Sequence, residues 1–572
     1  MLPRLLGLLG VACGTTTAAR APDEGTRGGH GAAPPPHIIH IVADDLGWSY
    51  VDWHRDPRTA DPPDTPLTPR LDALRRAGVT LERHYAFQYC SPSRSALLSG
   101  RNPISVNVQN VVPEVSNPED PVGGWQGIPT AMTGLAEVLR RRGYRTEAVG
   151  KWDVGMATAA HHHPRARGFD AWTGYWHHAN DYWTFAEETC DGEAVQDLWH
   201  YNATFDGPAT WLRNGPSCTQ GNQTHTAASP CVYEEQLLAD HAVRAVEEHD
   251  DTAPLFLYWA LHLVHMPLQV PDAYLARFDG IPDEPRRFMT AMVRYADDEV
   301  GRLVDALERR GMLANAVVTF HSDNGGEIMG AGACGGNNWP LTGGKFSNFE
   351  GGIRVNAFVS GGAVPEARRG AALSQLSTLW DWYATYAGIA GADSIDDAAA
   401  AAAGLPPLDS VDQWPYVTGA NATPPRREVV IGDTTAVYPN ADGRTRVGGI
   451  LVEGGWKLLL GPPDKLYTVG QYVRTGPNWP NASSHLVPLL HPKTCGREPA
   501  RGCLFNVLRD PTERRNLAAT NATLFRALLA RVDALQQSSE VYSPIRGKVD
   551  PRACEVATNK YGGFWGPSPI DG

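Results

Sequence analysis

Long apolar runs are missing from this chain of 572 residues once its first dozen residues are passed. A membrane-spanning helix needs roughly 18 uninterrupted apolar residues, and no later segment offers them. Positive charge is also in deficit, with 50 Lys and Arg against 63 Asp and Glu and a net charge of −13. That balance argues against nucleic acid or an anionic membrane surface as the main partner, so any bound anion must be met by local cations. No internal repeat is present. A composition 42% hydrophobic and 20% charged is ordinary for a globular chain, and the length allows two or more domains.

The nine cysteines do not divide into pairs. Cys13 lies in an amino-terminal stretch, residues 1–22, that is similar to a secretory signal peptide: Arg4 precedes an apolar run from Leu5 to Ala12, and small residues follow. Five Asn-x-Ser/Thr sequons, at Asn202, Asn222, Asn421, Asn481 and Asn521, agree with a glycosylated product of the secretory pathway, secreted or lysosomal. Setting aside Cys13 and Cys90, seven cysteines remain, which cannot all pair within one chain. Cys218 with Cys231, and Cys495 with Cys503, are close enough to bridge, although spacing does not decide connectivity.

Residues 23–36, with clustered Gly and a Pro34-Pro35-Pro36 run, read as a flexible entry. Ile38, Ile39, Ile41 and Val42 form a short apolar run typical of a buried parallel strand, stopped by Asp44-Asp45. Val317-Val318-Thr319-Phe320 repeats the pattern and stops just before Asp323-Asn324. Helix-like stretches at 131–142, 236–248 and 287–310 alternate with strand-like ones such as 255–261. This predicts an α/β domain over 37–425 with a mainly parallel sheet, whose ligands bind beyond the carboxyl ends of the strands. Residues 393–407, with an Ala run and two prolines, read as a surface insertion or the start of a domain boundary. Short strands at 427–431, 445–451 and 456–460, then a helix at 520–537, predict a smaller C-terminal domain over 426–545, followed by a tail at 546–572.

The densest chemistry lies at residues 90–101, Cys-Ser-Pro-Ser-Arg-Ser-Ala-Leu-Leu-Ser-Gly-Arg. Ser91 reads as an N-cap, Pro92 as the first helical position and Gly100 as the stop. The positive end of that helix favours an anion beside Cys90, and Arg94 adds a two-pronged cation. A buried structural thiol fits the local pattern equally. Asp44, Asp45, Asp323 and Asn324 offer oxygen without His or thiolate, which selects Ca²⁺ or Mg²⁺ over zinc. Either cluster alone would serve as a turn former; two at equivalent strand ends point to a cation site. Lys151 in Gly-Lys-Trp-Asp and Lys345 in Gly-Gly-Lys join Arg94, because a tetrahedral dianion beside a metal needs about two or three cations. His265, near a strand's end and just before Met266-Pro267, is a candidate general acid or a satisfied structural histidine.

These motifs resemble the type I sulfatases, and most the arylsulfatase B group, along nearly the whole chain after the leader. The resemblance is carried by Cys-x-Pro-Ser-Arg at 90–94, Asp44-Asp45, Gly150-Lys151-Trp152, residues 264–271, Ser322-Asp323-Asn324-Gly325-Gly326, residues 336–341, Glu350-Gly351-Gly352-Ile353-Arg354, Gly455-Trp456-Lys457-Leu458, Leu504-Phe505-Asn506 and Asp510-Pro511. It implies an alkaline-phosphatase-like fold and a sulfuric ester hydrolase for a sulfated carbohydrate or aryl sulfate. Cys90 would be converted to formylglycine by the formylglycine-generating enzyme, and the aldehyde hydrate would supply the nucleophile. One Ca²⁺ would be held by Asp44, Asp45, Asp323, Asn324 and the modified residue. Arg94 would steady the hydrate, Lys151 and Lys345 would bind sulfate, and His265 would assist departure of the alcohol.

One position departs from the family pattern. The resemblance implies His two residues after Lys151, where this chain has Asp153. A carboxylate can accept a proton but adds negative charge beside a sulfate, so the expectation is reduced or altered activity. The His161-His162-His163 run is a candidate for compensating. Likeness to arylsulfatase B suggests N-acetylgalactosamine 4-sulfate-type groups, with residues 157–231 supplying part of the rim. Two competing readings are a silent relative that binds sulfated glycans and a phosphate or phosphonate monoester hydrolase.

Overall fold

The computed structural model describes residues 34–567 apart from 60–66, 107–114, 117–126, 191, 213, 215–217, 224–230, 331, 393–394, 396, 434–445, 462–472, 481–486, 489–493, 539–540, 543–547 and 551. The leader, most of the flexible entry and the Asn481 sequon lie outside the described residues.

The large sheet uses, in chain order, β1 (His37–Ala43), β2 (Val79–Leu81), β3 (Arg145–Gly150), β4 (Ala171–Gly174), β5 (Trp199–Tyr201), β6 (Asp206–Pro208), β7 (Leu255–Ala260), β8 (Ala316–Ser322), β9 (Ala357–Ser360) and β10 (Ala371–Leu373). Three helices matter most for the site and the core: α1 (Cys90–Ser99), α2 (Glu234–Glu247) and α3 (Glu284–Arg309). The strands lie in the order β6-β5-β4-β3-β7-β1-β8-β9-β2-β10. The centre, from β4 through β3, β7 and β1 to β8, is parallel. Antiparallel β5 and β9 flank it, so the mainly parallel mixed sheet expected from the sequence is present.

The β1 residues are apolar on both sides because both faces of the sheet are covered. Ile38 and Val42 join a core with Ala96, Leu97 and Leu98 of α1, while Ile39, Ile41 and Ala43 join a second core with α2 and α3. His40 is the polar exception. Its Nδ1 lies 2.5 Å from the Tyr386 hydroxyl and its Nε2 3.0 Å from His321, and burial holds both imidazoles neutral. Helix α3 starts with Pro285 in its first turn and ends before Gly311, whose φ of 67° suits glycine.

A smaller antiparallel sheet follows in β11 (Glu428–Asp433), β12 (Arg446–Val452), β13 (Trp456–Leu459) and β14 (Cys503–Asn506), with α4 (Ala522–Gln536) packed on it. Ile450, Leu458 and Leu504 meet Phe525, Leu528 and Val532 in its core. Lys457 of β13 fastens this layer to the larger one: its Nζ lies 3.0 Å from Glu350 and 2.8 Å from Glu513, all three buried. The Ala run becomes a short helix, Ala398–Ala402, and Asp397 at its start pairs with buried Arg101 at 2.9 Å.

Disulfides join Cys218 to Cys231 and Cys495 to Cys503, the two pairs that spacing allowed, and Cys190 to Cys554 across 364 residues. The long bridge ties the tail to the two-stranded hairpin of Ala186–Cys190 and Glu193–Gln196. Cys334 is buried outside these bridges. No helix among the described residues is long and apolar enough to cross a membrane.

Candidate active site

Four parallel strands deliver their following residues to one edge. Lys151 follows β3, residues 261–265 follow β7, Asp44-Asp45 follow β1, and Asp323-Asn324 follow β8. Backbone bonds continue the pairing beyond the strands: Lys151 N donates to Ala260 O at 3.0 Å, Asp44 N to Leu263 O at 2.9 Å, and Asp323 N to Ala43 O at 3.0 Å. This is the carboxyl edge where the sequence placed the ligand site. Asp45 turns the chain with φ 58°, a conformation that short polar residues tolerate.

Helix α1 starts two residues earlier than the sequence predicts. Tyr89, in extended conformation, holds the N-cap position without a side-chain bond, and Cys90 is already helical. Ser91 does not cap, because it already lies inside the helix; the Ser93 hydroxyl receives Phe87 N at 3.0 Å. The stop at Gly100 is as expected, with φ 68° and no space for a Cβ against the Tyr383 ring.

The helix sets Cys90 Sγ 3.5 Å from Asp44 Oδ1 and directs Arg94 into the acidic cluster. Arg94 donates to Asp323 Oδ2 at 3.0 and 2.8 Å and lies 3.3 Å from Asp44 Oδ2. Lys151 Nζ lies 2.6 Å from Asp44 and 3.7 Å from Asp153, and Lys345 Nζ is 2.8 Å from Asp45 and 3.5 Å from Glu327. Asn324 Nδ2 donates to Asp45 Oδ1 at 2.6 Å. His265 presents Nε2 to Lys345 Nζ at 2.8 Å and sets Nδ1 2.8 Å from Met266 O. Ligand atoms of Asp44, Asp45, Cys90 and His265 fall within 4.8 Å of one another. Every residue nominated from the sequence for the catalytic and metal groups therefore gathers at one point.

Burial at this edge is nearly complete, so the charges act strongly on each other. Burial pushes the Asp45 carboxyl up to about 6 against the pull of Lys345, and raises Asp323, with Asp44 adding repulsion. Burial alone would lower Lys345, but Asp45, Cys90 and Glu327 outweigh it and hold the ammonium well above its ordinary value. His265 is driven well below its ordinary value by burial, Lys345 and Lys151. Its ring is therefore neutral, with Nδ1–H donating to Met266 O and Nε2 accepting from Lys345. Burial and then Asp44 push the Cys90 thiol well up, which disfavours the thiolate a cysteine nucleophile needs.

The donor set fits a hard divalent cation. Asp44, Asp45, Asp323 and Asn324 supply only oxygen from the side facing Cys90, and Asn324 Oδ1 is buried without a hydrogen-bond partner.

Asp153 is fully buried at φ 53°, and its N–H donates to Trp176 O at 3.0 Å. Two members of the His161–His163 run are engaged elsewhere. His162 is buried against Gly127 and Gly155 with its pKa lowered to about 3, and His163 pairs with Asp206 at 3.1 Å. Sequence reasoning missed His178, two residues past the carbonyl that receives Asp153 N–H. Its side chain keeps 35% exposure beside Glu187, and burial, His177, Lys151 and Lys345 push its pKa well down. Glu327 was missed as well, and Asn338 stood within the 336–341 motif without a role. Asn338 bonds Gly326 N and O and Gly343 O, holding the loop after Asn324 to the glycine loop that carries Lys345; neighbouring glycines were the available signal.

Oxygen donors for a hard cation, three fixed cations and an imidazole at the carboxyl edge of a parallel sheet define a hydrolase for tetrahedral anionic esters. Residues 36–392 match the family model described as Sulfatase. The chain is 30% identical to human N-acetylgalactosamine-6-sulfatase over 539 residues, covering 91% of this chain and 89% of that protein. It is 29% identical to arylsulfatase J of Mus musculus over 560 residues, 95% of this chain and 82% of the relative. A crystal structure of Ps i-CgsB in complex with k-i-k-neocarrahexaose superposes with a TM-score of 0.66 at 24% identity, covering 90% of this chain and 95% of that one. The chain belongs to the sulfatase family and is a sulfuric ester hydrolase acting on sulfated sugars or aryl sulfates.

Proposed function

We propose that this enzyme removes sulfate from N-acetylgalactosamine sulfate-type groups, after Cys90 is oxidised to formylglycine and with one Ca²⁺ in the acidic cluster. The carrying observation is the convergence of Cys90, Arg94, Lys151, His265 and Lys345 on Asp44, Asp45, Asp323 and the unpartnered Asn324 Oδ1. Asp44, Asp45, Asp323 and Asn324, with the modified residue, would hold the cation. When present, the cation polarises sulfate oxygens and the aldehyde hydrate supplies a nucleophilic oxygen in place of the disfavoured thiolate.

The chain's own groups do the rest. Arg94, locked by Asp323 and Asp44, keeps a positive charge beside residue 90. Lys151 and Lys345 bind the sulfate oxygens and neutralise charge as the ester bond breaks. Lys345 Nζ donates to His265 Nε2 at 2.8 Å and keeps the proton, so the pair would assist the departing alcohol oxygen with Lys345 as the source of the proton. Asp153, 3.7 Å from Lys151, takes part of that cation's attraction from the substrate and lowers turnover without abolishing it.

The arylsulfatase B likeness favours the 4-sulfate, whereas relatives named N-acetylgalactosamine-6-sulfatase make the 6-sulfate the second reading. Three disulfides and the sequons support passage through an oxidising, glycosylating compartment. A desulfation screen over galactosamine 4- and 6-sulfate oligosaccharides, with aryl sulfate and aryl phosphate in parallel, tests the assignment. Turnover of a galactosamine sulfate supports it. Glycan binding without turnover would favour the silent relative, and preference for the phosphate would favour the monoester hydrolase.

A further inference from the structure

Away from the catalytic edge, a cavity of about 910 Å³ opens between strands β3, β4 and β5 on one side and α2 on the other. None of the catalytic or proposed metal-binding residues lines it. Its volume falls in the range of about 300–1,000 Å³ that holds ligands of a few rings.

Its mouth is aromatic. Trp211 is 55% exposed and Phe205 39%, two of the three large exposed apolar side chains among the described residues. Their rings touch edge to face at 4.9 Å, and the His200 ring lies 5.7 Å from Trp211 and 5.9 Å from Phe205. Contacting aromatic rings left open to water mark a surface that something covers.

Asn202 lines the same cavity. Its Oδ1 accepts from Thr204 N at 2.8 Å, Thr204 Oγ1 at 2.9 Å and Phe205 N at 2.9 Å. That turn leaves Nδ2, the atom a sugar would be attached to, 3.0 Å from His200 Nε2 and within the aromatic cluster.

Charge selects the occupant. Glu147, Asp240, Glu248 and Asp250 in the lining outnumber Arg145 and Arg244. Burial and Arg244 lower both His200 and His241, the latter to about 4, so these rings stay neutral. A sulfated polysaccharide would be repelled from such a groove, whereas a neutral sugar chain would not.

We propose that this groove is the seat of a neutral N-linked glycan carried by Asn202, its first sugars stacked on Trp211 and Phe205. The proposal rests on the secretory reading above. In the attachment, Asn202 Nδ2 loses a proton and bonds to the anomeric carbon of an oligosaccharide released from a polyprenyl pyrophosphate carrier, the pyrophosphate leaving with the electron pair. Covalent attachment then keeps the sugars at high local concentration over the groove. The glycan shields the aromatic patch and packs against the surface of α2.

The test uses the full enzyme expressed through a secretory pathway, with site-by-site glycopeptide mass spectrometry and native digestion by an endoglycosidase. Asn202 should be occupied, and its glycan should be released about tenfold more slowly than that of exposed Asn421, the protection of one or two ring-stacking contacts. Trp211→Ala, and separately Phe205→Ala, should bring release at Asn202 to the Asn421 rate while aryl sulfate turnover is unchanged, which shows the variants are folded. An empty Asn202 beside occupied sequons elsewhere would overturn the proposal alone, and no glycan at any sequon would overturn the secretory reading with it. Equal release at Asn202 and Asn421 in the unmutated enzyme would also refute it. So would binding of a sulfated oligosaccharide by the deglycosylated enzyme that Trp211→Ala abolishes, because the groove would then be a second substrate site.

Discussion

Replacing Asp153 by His is the most informative single change. Asp153 Oδ2 lies 3.7 Å from Lys151 Nζ and neither side chain meets water. At an effective dielectric of about 20, opposite unit charges at that distance attract by about 4 kcal/mol, most of which offsets their desolvation. Recovering about a third of that attraction for the sulfate is worth roughly tenfold in kcat/KM. A placed imidazole adds acid-base catalysis, so the expected gain for Asp153→His is about ten- to a hundredfold. The backbone does not forbid it, since φ 53° is a region His tolerates as well as Asp. Asp153→Asn separates the two effects: it should raise kcat/KM for a small aryl sulfate by about tenfold through the freed Lys151, whereas Asp153→His should add a further gain in kcat. If His178 partly fills the vacancy, His178→Ala should cost more in the unmutated enzyme than in the Asp153→His background. Calcium and aldehyde content at residue 90 must be equal across the variants. Identical kcat and KM in all of them would refute the reasoning.

Three further outcomes follow from the buried charges. Lys457→Ala strands Glu350 and Glu513 in a site closed to water, and should lower stability by about 3–5 kcal/mol in denaturant titration. Burial raises the Glu235 carboxyl from 4.5 to about 8 in the fold. Because the folded pKa is the higher one, its contribution is complete below the unfolded value and is lost as pH rises through about 8; the thermal midpoint should fall between about pH 5 and pH 8, and Glu235→Gln should flatten that fall. The neutral amide keeps an oxygen for the His262 and Leu263 N–H groups, so the comparison is clean. Chelation should abolish turnover and lower the thermal midpoint, and Ca²⁺ should restore both more completely than Zn²⁺, as oxygen donors require. Retained activity in chelator would remove the cation from the account.

The gathering of the candidate site residues was legible in the sequence because strand ends are abrupt. Ile38 to Val42 stopping at Asp44-Asp45, and Val317 to Phe320 giving way to Asp323-Asn324, place both acidic clusters at one edge once the strands are taken as parallel. Short separations likewise allowed Cys218–Cys231 and Cys495–Cys503, while Cys190–Cys554 spans 364 residues and leaves no local trace. The start of α1 was misread because Ser91 has capping chemistry, but it already lies inside the helix. The histidine run at 161–163 drew attention by composition alone. Of the imidazoles that burial, Lys151 and Lys345 keep neutral, His265 was nominated from its strand end, whereas His178, two residues past the carbonyl that receives Asp153 N–H, was not. Such a pairing depends on which strand lies beside β3, and periodicity does not encode that.

The central claim is that residue 90 works as an aldehyde hydrate rather than as a thiol. Mass spectrometry of the peptide spanning Cys90, from enzyme that turns over an aryl sulfate, tests it directly with and without an aldehyde-reactive hydrazide. Active enzyme should carry a hydrazide-labelled aldehyde at residue 90 whose fraction tracks specific activity. A fully active enzyme carrying only the unmodified thiol would contradict it.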